Sequence, residues 1–207
     1  ATTTAAKIKT TITKIAIKLA SMNVKAIIIA CNTASANSHH LCNIIDTKVI
    51  EIITATAKYA EKNSINKKIG VWATNATINS KKYQEALSNV LACYPVKASD
   101  LVELIENNKL EETIPFVLKH LDEIKDADSL ILGCTHFPLL KDIIRNINPK
   151  LNLISSNIPV SIALKEFLEN KKINYRIPIW KFVFNLSNKI NVRRYFSDSL
   201  HYEIYFK

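Results

Sequence analysis

The sequence predicts an α/β protein of two pseudo-symmetric lobes, each built on a mainly parallel β-sheet flanked by helices. Three observations support this prediction. Short runs of Ile, Val and Leu alternate with stretches of helical periodicity, and this alternation is typical of βαβ units. The runs are apolar at nearly every position, as in strands covered on both faces. A pattern of strand, cysteine and polar turn also occurs twice.

The first part of the chain alternates helix and strand. Ile8, Ile12, Ile15 and Leu19 recur at helical spacing and therefore predict a helix near residues 6–20 that packs against a core. The apolar run that follows has the length of a strand. In chain order, the pattern then predicts a strand at 24–30, a helix near 34–45, a strand at 48–53 and a helix near 55–62.

The middle of the chain continues this alternation. The pattern predicts strands at 68–73, 95–97, 128–132 and 151–154, and helices near 78–91, 99–107, 109–125 and 138–146. Parallel strands need such crossover helices between them, so the spacing agrees with a mainly parallel sheet.

The last thirty residues have a different composition. Half of the chain's aromatic residues lie between residues 178 and 207, together with the pair Arg193–Arg194. Two interpretations stay open for this tail: it packs against the sheet, or it is altered sequence beyond the original reading frame. If it were exposed, such an aromatic patch would favour association with other molecules or aggregation.

The overall composition is that of a folded protein with a basic charge balance. The 207 residues are 48% hydrophobic and carry a formal net charge of +10, but no apolar run approaches the ~20 residues of a membrane-spanning helix. Only four of the basic residues are Arg, whereas base recognition favours Arg. We therefore expect neither a membrane nor a nucleic acid as partner. A binding or regulatory module that uses the basic surface stays open as an alternative.

The four cysteines fall into two groups. They form no C-x-x-C pair, which argues against a zinc or thioredoxin-type site, and we expect Cys42 and Cys93 to be buried apolar filler. Cys31 and Cys134 lie in the repeated pattern: Lys25–Ser35 reads K-A-I-I-I-A-C-N-T-A-S, and Asp128–Leu139 reads D-S-L-I-L-G-C-T-H-F-P-L. Both thiols would follow a strand at its carboxyl end, where parallel sheets bind ligands.

The position of these two thiols suggests proton transfer. A thiol at a helix N-terminus ionises more readily than usual, and it can serve nucleophilic attack, redox cycling, metal binding or proton abstraction. Nucleophilic catalysis needs a neighbouring base, which His136 could provide for Cys134 but which Cys31 lacks. Two thiols on opposing lobes instead fit removal of a proton from a carbon by one and delivery to the opposite face by the other.

The polar residues around the two cysteines suit a small amino acid. Asn32, Thr33, Thr135 and His136 offer hydrogen-bond donors at predicted helix starts, which are ready carboxylate sites. The turn at 73–77 ends another strand and opens another helix, for which an N-cap by Thr77 is the simplest interpretation. The sequence has no glycine-rich phosphate loop, which argues against a nucleotide cofactor.

Three segments resemble the glutamate racemases of the aspartate/glutamate racemase family. A-C-N-T-A-S-A at 30–36 and L-G-C-T-H-F-P-L-L at 132–140 are similar to the two signature motifs of that family, and A-T-N-A-T-I-N-S at 73–80, followed by Tyr83, is similar to its threonine turn. The resemblance covers roughly residues 7–157. The Cys-Thr-His order in the second motif favours glutamate racemase over aspartate racemase, in which a Glu commonly follows the Thr.

The resemblance implies a racemase that interconverts L- and D-glutamate without a cofactor or metal. Cys31 and Cys134 would be the acid–base pair, and His136 would assist Cys134 with support from Glu106, or from Glu103 as a fallback. The implied substrate-binding residues are Asn32, Thr33, Thr74, Thr77, Thr135 and His136. The implied setting is a cytoplasmic enzyme, commonly a homodimer, that supplies D-glutamate for peptidoglycan.

The resemblance also predicts the domain organisation. The first lobe would comprise residues 1–54 and 157–207, and the second lobe residues 55–156. The family begins with a strand and an Asp-Ser turn, followed later by a Pro-Tyr-Gly segment, and neither of these motifs precedes the first cysteine motif in this sequence. The first lobe is therefore expected to be incomplete, and an inactive or degenerate racemase fragment that binds glutamate weakly is the alternative.

Overall fold

A computed structural model of the chain describes residues 2–172, 180–184 and 202–206. The chain divides into two compact units, Ala1–Lys165 and Glu166–Lys207. Both cysteine turns belong to the first unit, so this unit holds all the candidate site residues.

Two parallel sheets form the framework of the first unit. Strands β1 and β2 pair in parallel, with Ala26 opposite Lys48, and strands β3–β6 form a four-stranded parallel sheet in the order β4-β3-β5-β6. The strands are β1 (Ala26–Ile29), β2 (Lys48–Glu51), β3 (Lys68–Ala73), β4 (Ala92–Lys97), β5 (Ser129–Gly133) and β6 (Asn152–Ile154). The predicted α/β class with parallel sheets is confirmed, whereas the pseudo-symmetric two-lobe division stays a prediction.

Helices connect the strands in the predicted order. They are α1 (Thr2–Ala20), α2 (Asn32–Ala36), α3 (Ile52–Asn63), α4 (Asn75–Asn79), α5 (Lys82–Ala86), α6 (Asp100–Glu106), α7 (Ile114–Asp122), α8 (Lys141–Ile147) and α9 (Asn157–Asn170), with 3₁₀ turns at His39–Asn43, Glu111–Thr113 and Phe137–Leu140. The strand predicted at 48–53 ends at Glu51, and α3 begins already at Ile52, because the Glu51 side chain caps that helix. In α1, the predicted apolar face of Ile8, Ile12, Ile15 and Leu19 is half-buried, in contrast to the exposed lysines beside it.

The central strands alternate their side chains between two hydrophobic clusters. Trp72, Leu130 and Leu132 belong to a cluster completed by residues of α6, α7 and α8. Ile69, Val71 and Ile131 point to the other face, where α3 and α5 cover them. Because side chains alternate with a period of two along a strand, helices on both faces explain why β3 and β5 are apolar at nearly every position.

The predicted helix at 78–91 is wrong in detail, because the chain forms two short helices there. The Ser80 hydroxyl donates to the Thr77 carbonyl at 2.6 Å, and such local bonds compete with the helical ladder. Lys81 then adopts a left-handed conformation with φ of 60°. The resulting break between α4 and α5 brings Tyr83 into the core, where it is fully buried.

Three other predicted helices are also interrupted, and the one near 138–146 starts with the 3₁₀ turn Phe137–Leu140 before α8. The segment at 34–45 ends its α-helical part at Ala36 and continues as a 3₁₀ turn. The segment at 109–125 begins with a 3₁₀ turn, and α7 starts only at Ile114 with Pro115 in its first turn. Proline lacks an N–H and fits that first turn but not a helix interior, which explains the later start.

The second unit is described only in part. The helix α9 reaches into it, and the short strands β7 (Trp180–Phe184) and β8 (Tyr202–Phe206) pair in parallel. The remainder of the predicted aromatic tail lies outside the described residues. Within the described ranges, no helix has the length and apolar character needed to cross a membrane.

Candidate active site

The first cysteine turn follows β1 and opens α2. Cys31 is the N-cap residue of α2, with φ of −115° and ψ of 127°, and its carbonyl accepts a hydrogen bond from the Ser35 N–H at 2.8 Å. Ser35 also connects this turn to the end of β1 and the start of α3, since its hydroxyl donates to the Ile29 carbonyl (3.0 Å) and accepts from the Ile52 N–H (3.2 Å). The Cys31 residue itself is exposed, so its thiol is accessible at the carboxyl end of the strand, as predicted.

The second cysteine turn follows β5 and is packed much more tightly. Cys134 comes directly after Gly133 and is only 8% exposed. A Cβ atom at Gly133 would lie 2.8 Å from the Trp72 carbonyl oxygen and 3.2 Å from a ring carbon of Tyr83. The absence of a side chain at this position therefore lets β5 approach β3 closely just before the thiol.

A chain of three neighbouring side chains extends from the second thiol. Cys134 Sγ lies 3.4 Å from His136 Nδ1, and His136 Nε2 lies 3.3 Å from Glu106 Oε1. Both ring nitrogens of the imidazole are therefore engaged, with a thiol on one side and a carboxylate on the other. It is Glu106 at the end of α6, and not Glu103, that contacts His136.

The predicted easy ionisation of both thiols is wrong for Cys134. Burial is the main cause of a raised pKa, about 11, for this thiol. Hydrogen bonds from the backbone N–H of His136 and from the Thr135 hydroxyl lower this pKa, whereas the charges of Cys31 and Glu106 raise it. The turn is followed by a 3₁₀ segment instead of an α-helix, so a full helix dipole does not offset the cost of burial. Cys134 is consequently protonated at neutral pH.

Three threonine hydroxyls meet between the two sheets. Thr33 Oγ1 lies 3.0 Å from Thr74 Oγ1 and 3.1 Å from Thr77 Oγ1, and the last two are 3.0 Å apart. Thr33 is two residues beyond Cys31, whereas Thr74 and Thr77 begin α4 after β3. This hydroxyl triangle therefore joins the first cysteine turn to the four-stranded sheet.

The residue that caps α4 differs from the predicted one. The N-cap is Thr74, whose hydroxyl accepts from the Thr77 N–H at 3.3 Å. The helix begins at Asn75, so Thr77 is its third residue and is fully buried. Thr77 thus contributes its hydroxyl to the triangle and does not act as a cap.

Two contacts around the site were not anticipated from the sequence. The Tyr83 hydroxyl donates to Asn32 Oδ1 at 2.7 Å, and the Ser99 hydroxyl accepts from the Asn75 N–H at 2.9 Å. In the sequence, Tyr83 is marked only by its place shortly after the threonine turn. Ser99 is marked by nothing except its position at the start of a predicted helix. Each partner pair is far apart in sequence, so only the fold brings them together.

The remaining predicted site residues lie beside this arrangement. Thr135 is exposed next to Cys134, and Asn32 is buried next to Cys31. The predicted burial of Cys42 is wrong: this thiol is exposed and donates to the His39 carbonyl at 3.0 Å, and Cys93 is only partly buried. No group of three or more His, Cys, Asp and Glu side chains suited to a metal ion occurs in the part of the chain that the structure describes.

Comparisons with known proteins agree with the sequence resemblance. The family model for Asp/Glu/hydantoin racemases matches residues 1–158. The chain is 38% identical over 160 residues to the glutamate racemase of Hydrogenobaculum sp., covering 74% of this chain and 62% of the relative. It is 40% identical over 181 residues to that of Sulfurihydrogenibium sp., covering 81% and 68%. The chain thus spans about three fifths to two thirds of the length of these curated relatives.

Solved structures give the same result. The glutamate racemase isoform RacE1 of Bacillus anthracis superposes with a TM-score of 0.75 at 30% identity, covering 86% of this chain and 71% of that chain. The glutamate racemase of Francisella tularensis, solved in complex with D-glutamate, superposes with a TM-score of 0.72 at 32% identity and the same coverage.

Proposed function

Because the chain belongs to the Asp/Glu/hydantoin racemase family, we propose that it interconverts L- and D-glutamate, with Cys31 and Cys134 as the two acid–base groups. The observation that carries this proposal is the contact between the first cysteine turn and the threonine turn that follows β3, the strand paired with β5, which leads into the second cysteine turn. Thr33 of the first turn contacts Thr74 and Thr77, and the charge of Cys31 contributes to the raised pKa of Cys134.

The proposed reaction moves one proton off and one proton onto the α-carbon. A thiolate on one side takes the α-proton, which breaks the C–H bond and leaves the electron pair on carbon. The thiol on the opposite side then delivers its own proton to the other face, which inverts the stereocentre and leaves that sulfur as the thiolate. The balance of protons is complete, so the step needs no cofactor.

The two thiols enter this reaction in different environments. The raised pKa of Cys134, about 11, favours its protonated form and suits it to the donating role in the resting enzyme. When Cys134 instead acts as base, a neighbouring group must help to remove its proton. His136, held between Cys134 and Glu106, is the group within reach for that task.

The polar groups around the thiols would hold the amino acid. We propose that Asn32, Thr33, Thr74, Thr77 and Thr135 bind the amino and carboxylate groups of glutamate, together with His136. Hydroxyls can both donate and accept hydrogen bonds, so one cluster can contact an ammonium group and a carboxylate. In this proposal the substrate is a free small molecule.

The wider role follows from the same proposal. A glutamate racemase of this kind would supply D-glutamate for peptidoglycan in the cytoplasm, and a homodimer is the proposed assembly. The alternative of an inactive fragment predicts the same contacts within the site but no exchange of the α-proton. A single measurement separates the two.

That measurement is the exchange of the α-proton of L-glutamate in heavy water. The chain is incubated with L-glutamate, and the α-proton signal is followed by proton NMR while D-glutamate is measured by chiral chromatography. We expect loss of the signal and formation of D-glutamate. A folded sample that produces neither contradicts the proposed activity.

Serine variants test the two thiols against matched controls. Cys31→Ser and Cys134→Ser should each reduce racemisation by about several powers of ten. Cys42→Ser controls for an exposed thiol, and Cys93→Ser for a partly buried thiol whose pKa is also raised to about 11 by burial. Full racemisation by either of the first two variants would remove the two-thiol mechanism.

A further inference from the structure

Tyr83 lies next to both cysteine turns, one through its hydroxyl and the other through its ring. Its hydroxyl donates to Asn32 Oδ1 at 2.7 Å, and Asn32 directly follows Cys31. A carbon of its ring lies 3.2 Å from the position that a Cβ atom at Gly133 would take, and Gly133 directly precedes Cys134. Tyr83 is fully buried, so its orientation is set by packing.

The contact with Tyr83 makes the two ends of the Asn32 amide unequal. Oδ1 accepts the tyrosine hydroxyl, whereas no residue in the described ranges accepts a hydrogen bond from Nδ2. Asn32 is only 3% exposed, so few groups other than a bound ligand can reach its amide. The free donor on a residue between Cys31 and Thr33 is therefore suited to a ligand that brings an acceptor.

Tyr83 keeps its proton at neutral pH. Burial, followed by the nearby charge of Glu51, raises the pKa of Tyr83 far above its usual value, and the hydroxyls of Thr56 and Ser156 offset this only in part. At neutral pH the hydroxyl is thus a donor toward Asn32, and the carbonyl oxygen is the end of the amide that can accept from it.

We infer that Tyr83 is a positioning residue that fixes the amide of Asn32 so that Nδ2 donates to a carboxylate oxygen of the substrate. This inference rests on the proposed function and extends it by assigning a direction to the Asn32 amide. Without the tyrosine hydroxyl the amide can rotate by half a turn and present Oδ1, which repels a carboxylate. The expected defect is in substrate binding and not in proton transfer.

The variant Tyr83→Phe tests this because it keeps the ring against Gly133 and removes only the hydroxyl. We expect KM to rise by about 3- to 10-fold for both enantiomers of glutamate, the change that corresponds to one hydrogen bond, with kcat within about twofold. Tyr59→Phe is the control, since Tyr59 packs against the same hydrophobic cluster. It should leave both constants unchanged.

A double-mutant cycle separates positioning from general packing. In an Asn32→Ala background the amide is gone, so Tyr83→Phe should cause no further rise in KM. If Tyr83 acted through packing alone, its effect would multiply with that of Asn32→Ala. Asn32→Asp provides a second measurement should Tyr83→Phe fail to fold: a carboxylate still accepts from Tyr83 but cannot donate to the substrate, so KM should rise there too.

The outcomes distinguish this inference from the function on which it rests. If the unaltered chain does not racemise glutamate, the proposed function fails and the inference fails with it. If the chain is active but Tyr83→Phe leaves KM unchanged, or lowers kcat alone, only the inference is overturned. The same holds if the effects of the two single variants multiply.

Discussion

The two glycines of the chain offer a matched test of how tightly the second cysteine turn is packed. Both lie in central strands, Gly70 in β3 and Gly133 in β5. A Cβ atom at Gly133 would lie 2.8 Å from the Trp72 carbonyl oxygen and 3.1 Å from Ala73 Cβ, so it would meet the neighbouring strand. The three atoms nearest to a Cβ atom at Gly70 would all belong to the side chain of Ile124, at 2.8 to 3.2 Å.

The expected cost of Gly133→Ala combines two opposing contributions. Forcing an extra methyl group into a packed core costs about 1–3 kcal/mol, and replacing a strand glycine by alanine returns about 0.5–1 kcal/mol of backbone entropy. We expect a net loss of about 1.5 kcal/mol in the free energy of unfolding, or roughly 3–6 °C in Tm for a chain of this size. Gly70→Ala should lose less, about 0–1 kcal/mol, because the Ile124 side chain can adjust whereas a hydrogen-bonded strand cannot.

Thermal denaturation followed by circular dichroism measures both variants, and α-proton exchange of glutamate measures the effect on the site. Since Gly133 precedes Cys134, a shift of β5 displaces the thiol, and Gly133→Ala should lower the exchange rate about tenfold or more. Gly70→Ala should leave the rate close to that of the unaltered chain. The reasoning is refuted if Gly70→Ala is the more destabilising of the two, or if Gly133→Ala keeps full exchange.

Three further predictions concern side chains around the sheets. Burial raises the pKa of Asp128, but hydrogen bonds from Ser64, Asn66, Ser129 and Ile65 lower it more, so that the pKa is lowered overall. The resulting stabilisation is complete above the unfolded pKa of about 3.9 and is lost as pH falls through the folded value. Asp128→Asn should therefore cost about 1–3 kcal/mol at neutral pH and weaken the dependence of stability on acid pH, and an unchanged acid-unfolding profile would contradict this. Glu106→Gln should lower kcat about tenfold or more with little change in Tm. An unchanged kcat would show that Glu106 does not assist His136 in the reaction. The His120 side chain is 2% exposed, and its ring nitrogens lie 3.0 Å from an Asp100 oxygen and 2.9 Å from a Glu123 oxygen. Its ring also packs edge-on against Trp72, with 5.6 Å between the ring centroids. His120→Ala should therefore lower the free energy of unfolding in urea by about 2–4 kcal/mol, and a loss below about 1 kcal/mol would show that these contacts contribute little.

The sheet was predictable because its signal is local. The run Lys68–Ala73 is apolar at nearly every position and bounded by polar residues, and the structure places β3 over the same residues. The position of both cysteines after a strand followed from the same local pattern. The breaks within the helices were harder to predict, because Lys81 in a left-handed conformation leaves no mark in the apolar periodicity.

The electrostatics of the site could not be predicted from the chain alone. The ionisation of Cys134 depends on burial, which is decided by strands and helices distant in sequence. The contact between Tyr83 and Asn32 spans 51 residues, and nothing in either local segment indicates the other. The pairing of Glu106 with His136 was accessible only through the resemblance, which itself left Glu103 as a fallback.

The hydroxyl triangle of Thr33, Thr74 and Thr77 has a consequence for the kind of group it can receive. Each hydroxyl owns one hydrogen atom, and three short oxygen–oxygen separations join the three oxygens. When the ring is closed, every hydrogen atom is used internally and only lone pairs face outward, which favours a cation. To bind an anion, one of these three hydrogen bonds must break so that a hydroxyl hydrogen atom points outward. The trio can thus reverse its polarity without moving a heavy atom.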